Sequence, residues 1–237
     1  VHKNPNSSEW LYVPSWKRLL QPATTLDNAA IEGARTGTWL VYADESGVAA
    51  TLIARLASAG HDVVTVRAGS HFQQADDRTF TIEPATAEHY DLLIRALEAN
   101  RSLPDRIVHA WSVAEAGTGR GLSPTRPRPV PGETERDRFA AAQALGFYSL
   151  LFLARALLTH NVRHEIKLFA VSNEVQDVSG ADPLCPAKST LLGPCMVIRQ
   201  EYPNIRVKHV DVDVSGGIRE RERDADLVLG ELLESDS

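Results

Sequence analysis

Compact apolar runs alternate along this chain with longer stretches in which apolar residues recur at helical spacing. The first pattern marks buried strands and the second marks amphipathic helices. The unit is plainest between Gly37 and Gly69. Gly37–Asp44 (GTWLVYAD) reads as a buried strand. Val48, Leu52, Ile53, Leu56 and Ala57 then fall on one face of a helix that Gly60 stops. His61–Gly69 (HDVVTVRAG) reads as a second strand. The spacing predicts a strand–helix–strand unit with a short turn at each end.

The alternation continues. Residues 70–84 are polar, with an edge strand predicted at Thr79–Ile82. Tyr90, Leu93, Ile94 and Leu97 mark a helix, and Arg106–Ala110 marks a strand. Glu135–Leu158 reads as a long apolar helix and Glu165–Val171 as a strand. Ala187–Glu201 is predicted as a helix closed by Pro203. Arg206–Val214 is predicted as the last strand and Asp224–Leu233 as a short acidic helix. Strands alternating with helices imply an α/β fold, a doubly wound, mainly parallel Rossmann-like sheet. Right-handed crossovers give these strands the order 3-2-1-4-5-6. Ahead of them, Trp10–Val13 reads as a short strand stopped by Pro14, and residues 21–36 as a polar connector. The predicted organisation is an N-terminal arm over residues 1–36 and the Rossmann-like domain over 37–237. Ala116–Glu133, rich in Gly, Pro and Arg, reads as a solvated loop, with a docking arm as the alternative.

Composition narrows the classes. With 237 residues, 43% of them hydrophobic, the chain can bury a sizeable core. Its 25 Lys and Arg against 31 Asp and Glu give a net charge of −6, which argues against a nucleic-acid binder with a broad basic face. Two cysteines make no disulfide scaffold and suit a reducing, cytoplasmic setting. No apolar run reaches membrane-spanning length, and Val1–Glu9 has no signal-peptide core. The missing initiator Met points to a piece of a longer chain.

In a doubly wound sheet, ligands bind at the carboxyl ends of the strands. A dinucleotide turn there needs glycines so that backbone can approach the pyrophosphate. Ala43–Ala50 (ADESGVAA) offers only Gly47. Asp44 and Glu45 put negative charge where phosphate would sit, against the preference of a helix N-terminus for anions. Asp44, Glu45, Ser46 and Gly47 therefore read as a plain strand-to-helix turn, degenerate as a cofactor cradle. Arg67 has the type that meets a ribose 2′-phosphate, but without the glycine turn it reads as a solvated residue. His109 and Trp111 read as a satisfied structural histidine and a packing indole. Cys185 has no supporting His or Asn in sequence, and Pro186 beside it signals a structural turn. Cys185 and Cys195 are too isolated for zinc, and His160 and His164 enclose no Glu, so no metal site is expected.

Ser172 follows the strand KLFAV, and DPLCPAKSTLLGPCMVIRQEYPNIRVKHVDVD (Asp182–Asp213) lies downstream. These stand in order with LYVPSWKR (Leu11–Arg18), Gly37–Gly69, LPDRIVHAWSV (Leu103–Val113), FYSLLFLARAL (Phe147–Leu157) and KLFAVSNEVQDV (Lys167–Val178). Together they resemble the ketoreductase region of modular type I polyketide synthases. Within that region they resemble its N-terminal structural subdomain, a truncated short-chain-dehydrogenase fold. The resemblance implies a reductase of two halves. The first is non-catalytic. The second binds NADPH and holds the Ser, Tyr, Lys and Asn that reduce a carrier-bound β-ketoacyl group. Short-chain dehydrogenases place a Ser after this strand and Tyr-x-x-x-Lys at the next helix. The Tyr hydroxyl gives the proton, while the Lys lowers its pKa and holds the ribose. Here Lys188 takes the Lys position and Ser172 roughly the Ser position, but Leu184 stands where the Tyr should be. Ser172, Leu184 and Lys188 are thus degenerate positions, no catalytic residue is assigned, and Lys188 reads as a surface lysine at a helix start.

The chain ends at Ser237, about where the resemblance would begin the catalytic half. NADPH is then expected in that missing half and not in this chain. The implied partners are the catalytic half, neighbouring synthase domains and an acyl carrier protein, with no nucleic acid and no membrane. The helix Glu135–Leu158 carries Phe139, Leu145, Phe147, Leu150, Leu151, Leu153 and Leu157 around more than one side. It is either a contact face for such a partner or a helix buried in its own domain. Two other readings stand beside this one. One is an interaction module of an inactive ketoreductase, docking an acidic carrier protein through the basic loop Arg120–Arg128 and nearby Arg136. The other is an atypical active dehydrogenase using Ser172 and Lys188 with Tyr202 or Tyr148.

Overall fold

The computed structural model of the chain describes residues 37–114, 134–214 and 218–234. The strand proposed at Trp10–Val13 and the loop Ala116–Glu133 lie outside the described residues. The elements follow in the order β1 (Thr38–Ala43), α1 (Val48–Ser58), β2 (Asp62–Ala68), β3 (Gln73–Asp76), β4 (Thr79–Ile82), α2 (Ala87–Ala99) and β5 (Arg106–Ser112). Then come α3 (Glu135–Thr159), β6 (Ile166–Ser172), α4 (Pro186–Ser189), α5 (Leu192–Glu201), β7 (Ile205–Asp211) and α6 (Ile218–Glu234).

The strands form one sheet in the order β3-β4-β2-β1-β5-β6-β7. Every pairing is parallel except the hairpin of β3 with β4. Leaving β3 aside, this is the predicted 3-2-1-4-5-6 order. The strand β3 (QQAD) was not foreseen, because all of its residues are exposed and it carries no apolar signal. The predicted helix Ala187–Glu201 is two helices, α4 and α5, separated at Thr190–Leu191.

The sheet is covered on both sides. β1 lies at its centre, and Trp39, Leu40, Val41 and Tyr42 are wholly buried. Alternate side chains point to opposite faces of a strand. Leu40 and Tyr42 join the core under α2, α3 and α5, while Trp39 and Val41 join the core under α1 and α6. Burying each such side chain stabilises the fold by about 2 kcal/mol.

The helix α3 opens on a capping box. Thr134 Oγ accepts from the Asp137 amide at 3.1 Å, and the Asp137 carboxylate accepts from the Thr134 amide at 3.0 Å. A π-helical turn at Gln143–Tyr148 interrupts its α-helical path. There Gly146 lets the helix approach the sheet, since a Cβ would stand 3.0 Å from Ser112 Oγ. By length and composition α3 is long and apolar enough to cross a membrane, contrary to the expectation that no such run exists. In this fold it lies against the sheet and buries Leu150, Leu153, Ala154 and Leu157.

Candidate functional site

A cleft of about 600 Å³ opens at the carboxyl ends of β1, β2 and β5, where a doubly wound sheet binds its ligands. The turn 43–47 and Arg67 line it, with Trp111–Ala114 on β5 and its extension, and Ala142, Leu145 and Lys188 from the far side.

The turn after β1 is built around one carboxylate. Asp44 Oδ2 accepts from the Gly47 amide at 2.9 Å and the Val48 amide at 3.3 Å. Its Oδ1 accepts from the Ala49 amide at 2.7 Å, and the Ser46 hydroxyl donates to Oδ2. These amides are the donors that the first turn of a helix cannot satisfy internally. Gly47 enters α1 with φ of +99°, a conformation that favours glycine. The negative charge that sequence reading set against a phosphate is thus a helix cap. A dinucleotide's pyrophosphate would have to displace Asp44 from its own amides, so these residues do not fit that group. Arg67 is exposed at the end of β2 and lines the same cleft.

Across the cleft, Lys188 is not the surface lysine expected. Its side chain is 5% exposed. Its Nζ donates to Asn173 Oδ1 at 2.6 Å and to the Asn173 carbonyl at 3.3 Å, and lies 3.6 Å from Glu174 Oε2. Nothing in the residues around Lys188 signals this, because its partners come from the segment after β6. Asn173 in turn holds the backbone just beyond β5 with its side chain. Its side-chain Nδ2 donates to the Ala114 carbonyl and its Oδ1 accepts from the Ala114 amide, both at 3.0 Å. Glu174 takes a left-handed backbone with φ of +62°, unusual for a side-chain-bearing residue.

Ser172 belongs to a different cluster. It is fully buried at the end of β6, with its hydroxyl 2.8 Å from His209 Nε2 and donating to Asp211 Oδ1 at 2.5 Å. The other oxygen of Asp211 accepts from the Val175 and Gln176 amides at 3.0 and 2.9 Å. A serine nucleophile needs its base oriented by the acid. Here the acid holds the serine and the following turn. Burial lowers the pKa of His209, and the nearby Asp211 opposes that shift. Leu184 is exposed and does not line the cleft, nor do Tyr148 and Tyr202. The structure therefore brings Lys188 to the cleft but not Ser172, and among the described residues it brings no phenol there.

His109 is 1% exposed and stacks on Tyr42 at 5.0 Å between ring centres. Its Nε2 meets the Ser149 hydroxyl at 2.9 Å, and that hydroxyl donates to the Leu145 carbonyl in the π-helical turn at 2.8 Å. Burial pushes the His109 pKa down to about 3. Cys185 and Cys195 are free and buried, and burial pushes the Cys195 thiol up to about 12. Among the described residues no group of three or more His, Cys, Asp or Glu could hold a metal ion.

Residues 37–121 match the family model described as Beta-ketoacyl synthase-like, N-terminal. No curated protein matches the chain. Among solved structures, the chain is similar to the adenylation, ketoreductase and pseudo-Asub multidomain structure of a keto acid-selecting NRPS module. The identity is 22% and the TM-score 0.69, over 84% of this chain and 15% of that one. It is also similar to an N-terminal ketoreductase from the macrolactin assembly line, at 16% identity and TM-score 0.59, over 84% of this chain and 37% of that one. A short-chain dehydrogenase/reductase from Brucella ovis, in complex with a partially ordered NAD, is similar at 15% identity and TM-score 0.55. That match covers 84% of this chain and 92% of the other. The chain has a ketoreductase-like, short-chain-dehydrogenase-like fold. It spans well under two thirds of the two multidomain-enzyme chains it resembles.

Proposed function

We propose that this chain is the structural, non-catalytic half of a synthase ketoreductase. In this reading it scaffolds NADPH-dependent reduction of carrier-bound β-ketoacyl chains by a catalytic half elsewhere in the parent protein, in a reducing cytoplasmic compartment. The observation that carries the reading is the Asp44 carboxylate on the amides of Gly47, Val48 and Ala49. The position that would receive phosphate already holds an anion of the chain's own. Leu184 at the proton-donor position and Lys188 tied to Asn173 and Glu174 support the same reading. The similarity to ketoreductase-containing multidomain structures supports a parent chain with partner domains.

Titration with NADPH, followed by fluorescence or calorimetry, tests the proposal on this chain and on a longer one that includes the catalytic half. The expected result is no binding by the short chain, with binding and ketone reduction by the long one. Saturable micromolar binding by the short chain would overturn it.

A further inference from the structure

His160 closes α3 as its C-cap, with its amide on the Ala156 carbonyl at 3.0 Å. From there its ring reaches α2, and the side chain is only 11% exposed. Two carboxylates of α2 meet the ring, one at each nitrogen. Nδ1 lies 3.3 Å from Glu98 Oε2, within hydrogen-bond distance, and Nε2 lies 3.7 Å from Asp91 Oδ1. Asp91 and Glu98 stand about two turns apart on one face of α2. The two helices share a core, to which α2 gives Leu93 and Leu97 and α3 gives Leu153 and Leu157.

This geometry suits a ring that carries two protons. A neutral imidazole has one N–H and one lone pair. Whichever nitrogen keeps the proton, the other turns its lone pair toward a carboxylate. With the proton on Nδ1, Nε2 is a buried acceptor that has no hydrogen-bond partner among the described residues. The imidazolium instead donates to Glu98 and directs its second N–H at Asp91. The end of α3 favours the same charge, because its last carbonyls lack helical partners. A metal ion on one ring nitrogen would leave the carboxylate at the other nitrogen unserved, and these residues form no metal-holding group.

The other charged groups around the ring do not take its place. Arg95, between the two carboxylates on α2, is exposed and makes no ion pair with either among the described residues. Arg101 past the end of α2, Arg155 of α3, and Arg199 and Glu201 of α5 are exposed. Beyond α3, Arg163 Nε donates to Asn161 Oδ1 at 2.6 Å, and His164 Nε2 lies 2.9 Å from the Pro104 carbonyl. Glu165 pairs with Arg206 at 2.7 Å.

We propose that His160 is a proton-operated latch between α2 and α3. The protonated ring ties the end of α3 to both carboxylates, while the neutral ring keeps one contact and opposes the other. Protonation and closure of the helix pair favour each other, so the stability the latch adds is present at acid pH and fades as pH rises. The sign is opposite to that of His109, which the fold keeps neutral. The latch does not depend on the scaffold reading, and the NADPH titration leaves it untouched.

Urea melts of the full chain at about pH 5.5 and about pH 8, on either side of ordinary histidine titration, test the proposal. At the lower pH His160→Gln is expected to raise the unfolding constant about threefold, and at the higher pH to change it little. In a background of Asp91→Asn with Glu98→Gln, the same change is expected to lose its pH dependence. His109 is present in every variant, so its own pH dependence cancels. An effect of His160→Gln that is equal at both pH values, or larger at the higher one, would overturn the proposal. So would an effect that survives unaltered in the carboxamide background. Stabilisation by zinc at the higher pH, reversed by EDTA, would overturn it in favour of a metal ligand. If His160→Gln does not fold, Asp91→Asn alone gives the same comparison from a half-exposed position, with a cost at the lower pH that fades at the higher.

Discussion

Asp44 does for α1 what a capping serine does for other helices, but with a full charge and both oxygens engaged. Replacing a cap of this kind with Ala costs about 1 kcal/mol. Asp44→Ala is therefore expected to lower the unfolding free energy from urea melts by about 1 kcal/mol without creating NADPH turnover. Lys188 is the harder group to remove. Lys188→Met leaves the Glu174 carboxylate, 11% exposed, without its cation. Breaking a buried pair from one side costs about 3 kcal/mol. The expected result is a large fall in thermal midpoint and faster amide exchange at Ala114, whose partner Asn173 is held by Lys188. Leu184→Tyr restores the missing phenol in sequence only. It adds a side chain at an exposed position away from the cleft, so no ketone reduction with NADPH is expected in a spectrophotometric assay. These residues also show the limit of reading the chain as a string. The anomaly at Asp44 was visible as charge in the wrong place, but the use of that charge depends on where three amides point. Lys188 was visible only as a lysine, because Asn173 and Glu174 reach it through the fold.

At the scale of elements, apolar periodicity foretold β1, α1, β2, α2, β5, α3, β6 and β7, because each of these buries an apolar face. It failed where burial is absent, as in β3, and where two helices meet at a short break, as in α4 and α5. The joint between β5 and α3 has a pH signature of its own. His109 is neutral in the folded chain, with its pKa depressed from 6.5 to about 3. The unfolded chain takes up a proton as pH falls below about 6.5, and the folded chain does not. Stability contributed by neutral His109 is therefore present above that pH and lost between about 6.5 and 3, at up to about 1.4 kcal/mol per pH unit. Urea melts across that window should steepen accordingly in the native chain. His109→Phe, which keeps a ring against Tyr42, should flatten the acid limb. An unchanged limb would mean that another group carries the acid sensitivity.

At the scale of the whole molecule, the order of the parallel strands was legible, because right-handed crossovers leave few ways to wind such a sheet. The cleft's position was legible for the same reason, but its contents were not. A sheet of this type retains a crevice at its strand ends whether or not anything binds there, since the crevice follows from the winding. What distinguishes this molecule is that the crevice already holds a tethered competitor. A carboxylate joined by three peptide bonds to the first amide it caps faces that amide at an effective concentration of about millimolar or higher. An incoming nucleotide would have to outcompete this resident before gaining any contact of its own. Removing Asp44 alone would not undo the arrangement, because Glu45 and Ser46 remain where a glycine-rich turn would have to be. In the proposed reading the same carboxylate competes with phosphate and stabilises the helix behind it, so making room for a phosphate there would carry a stability penalty.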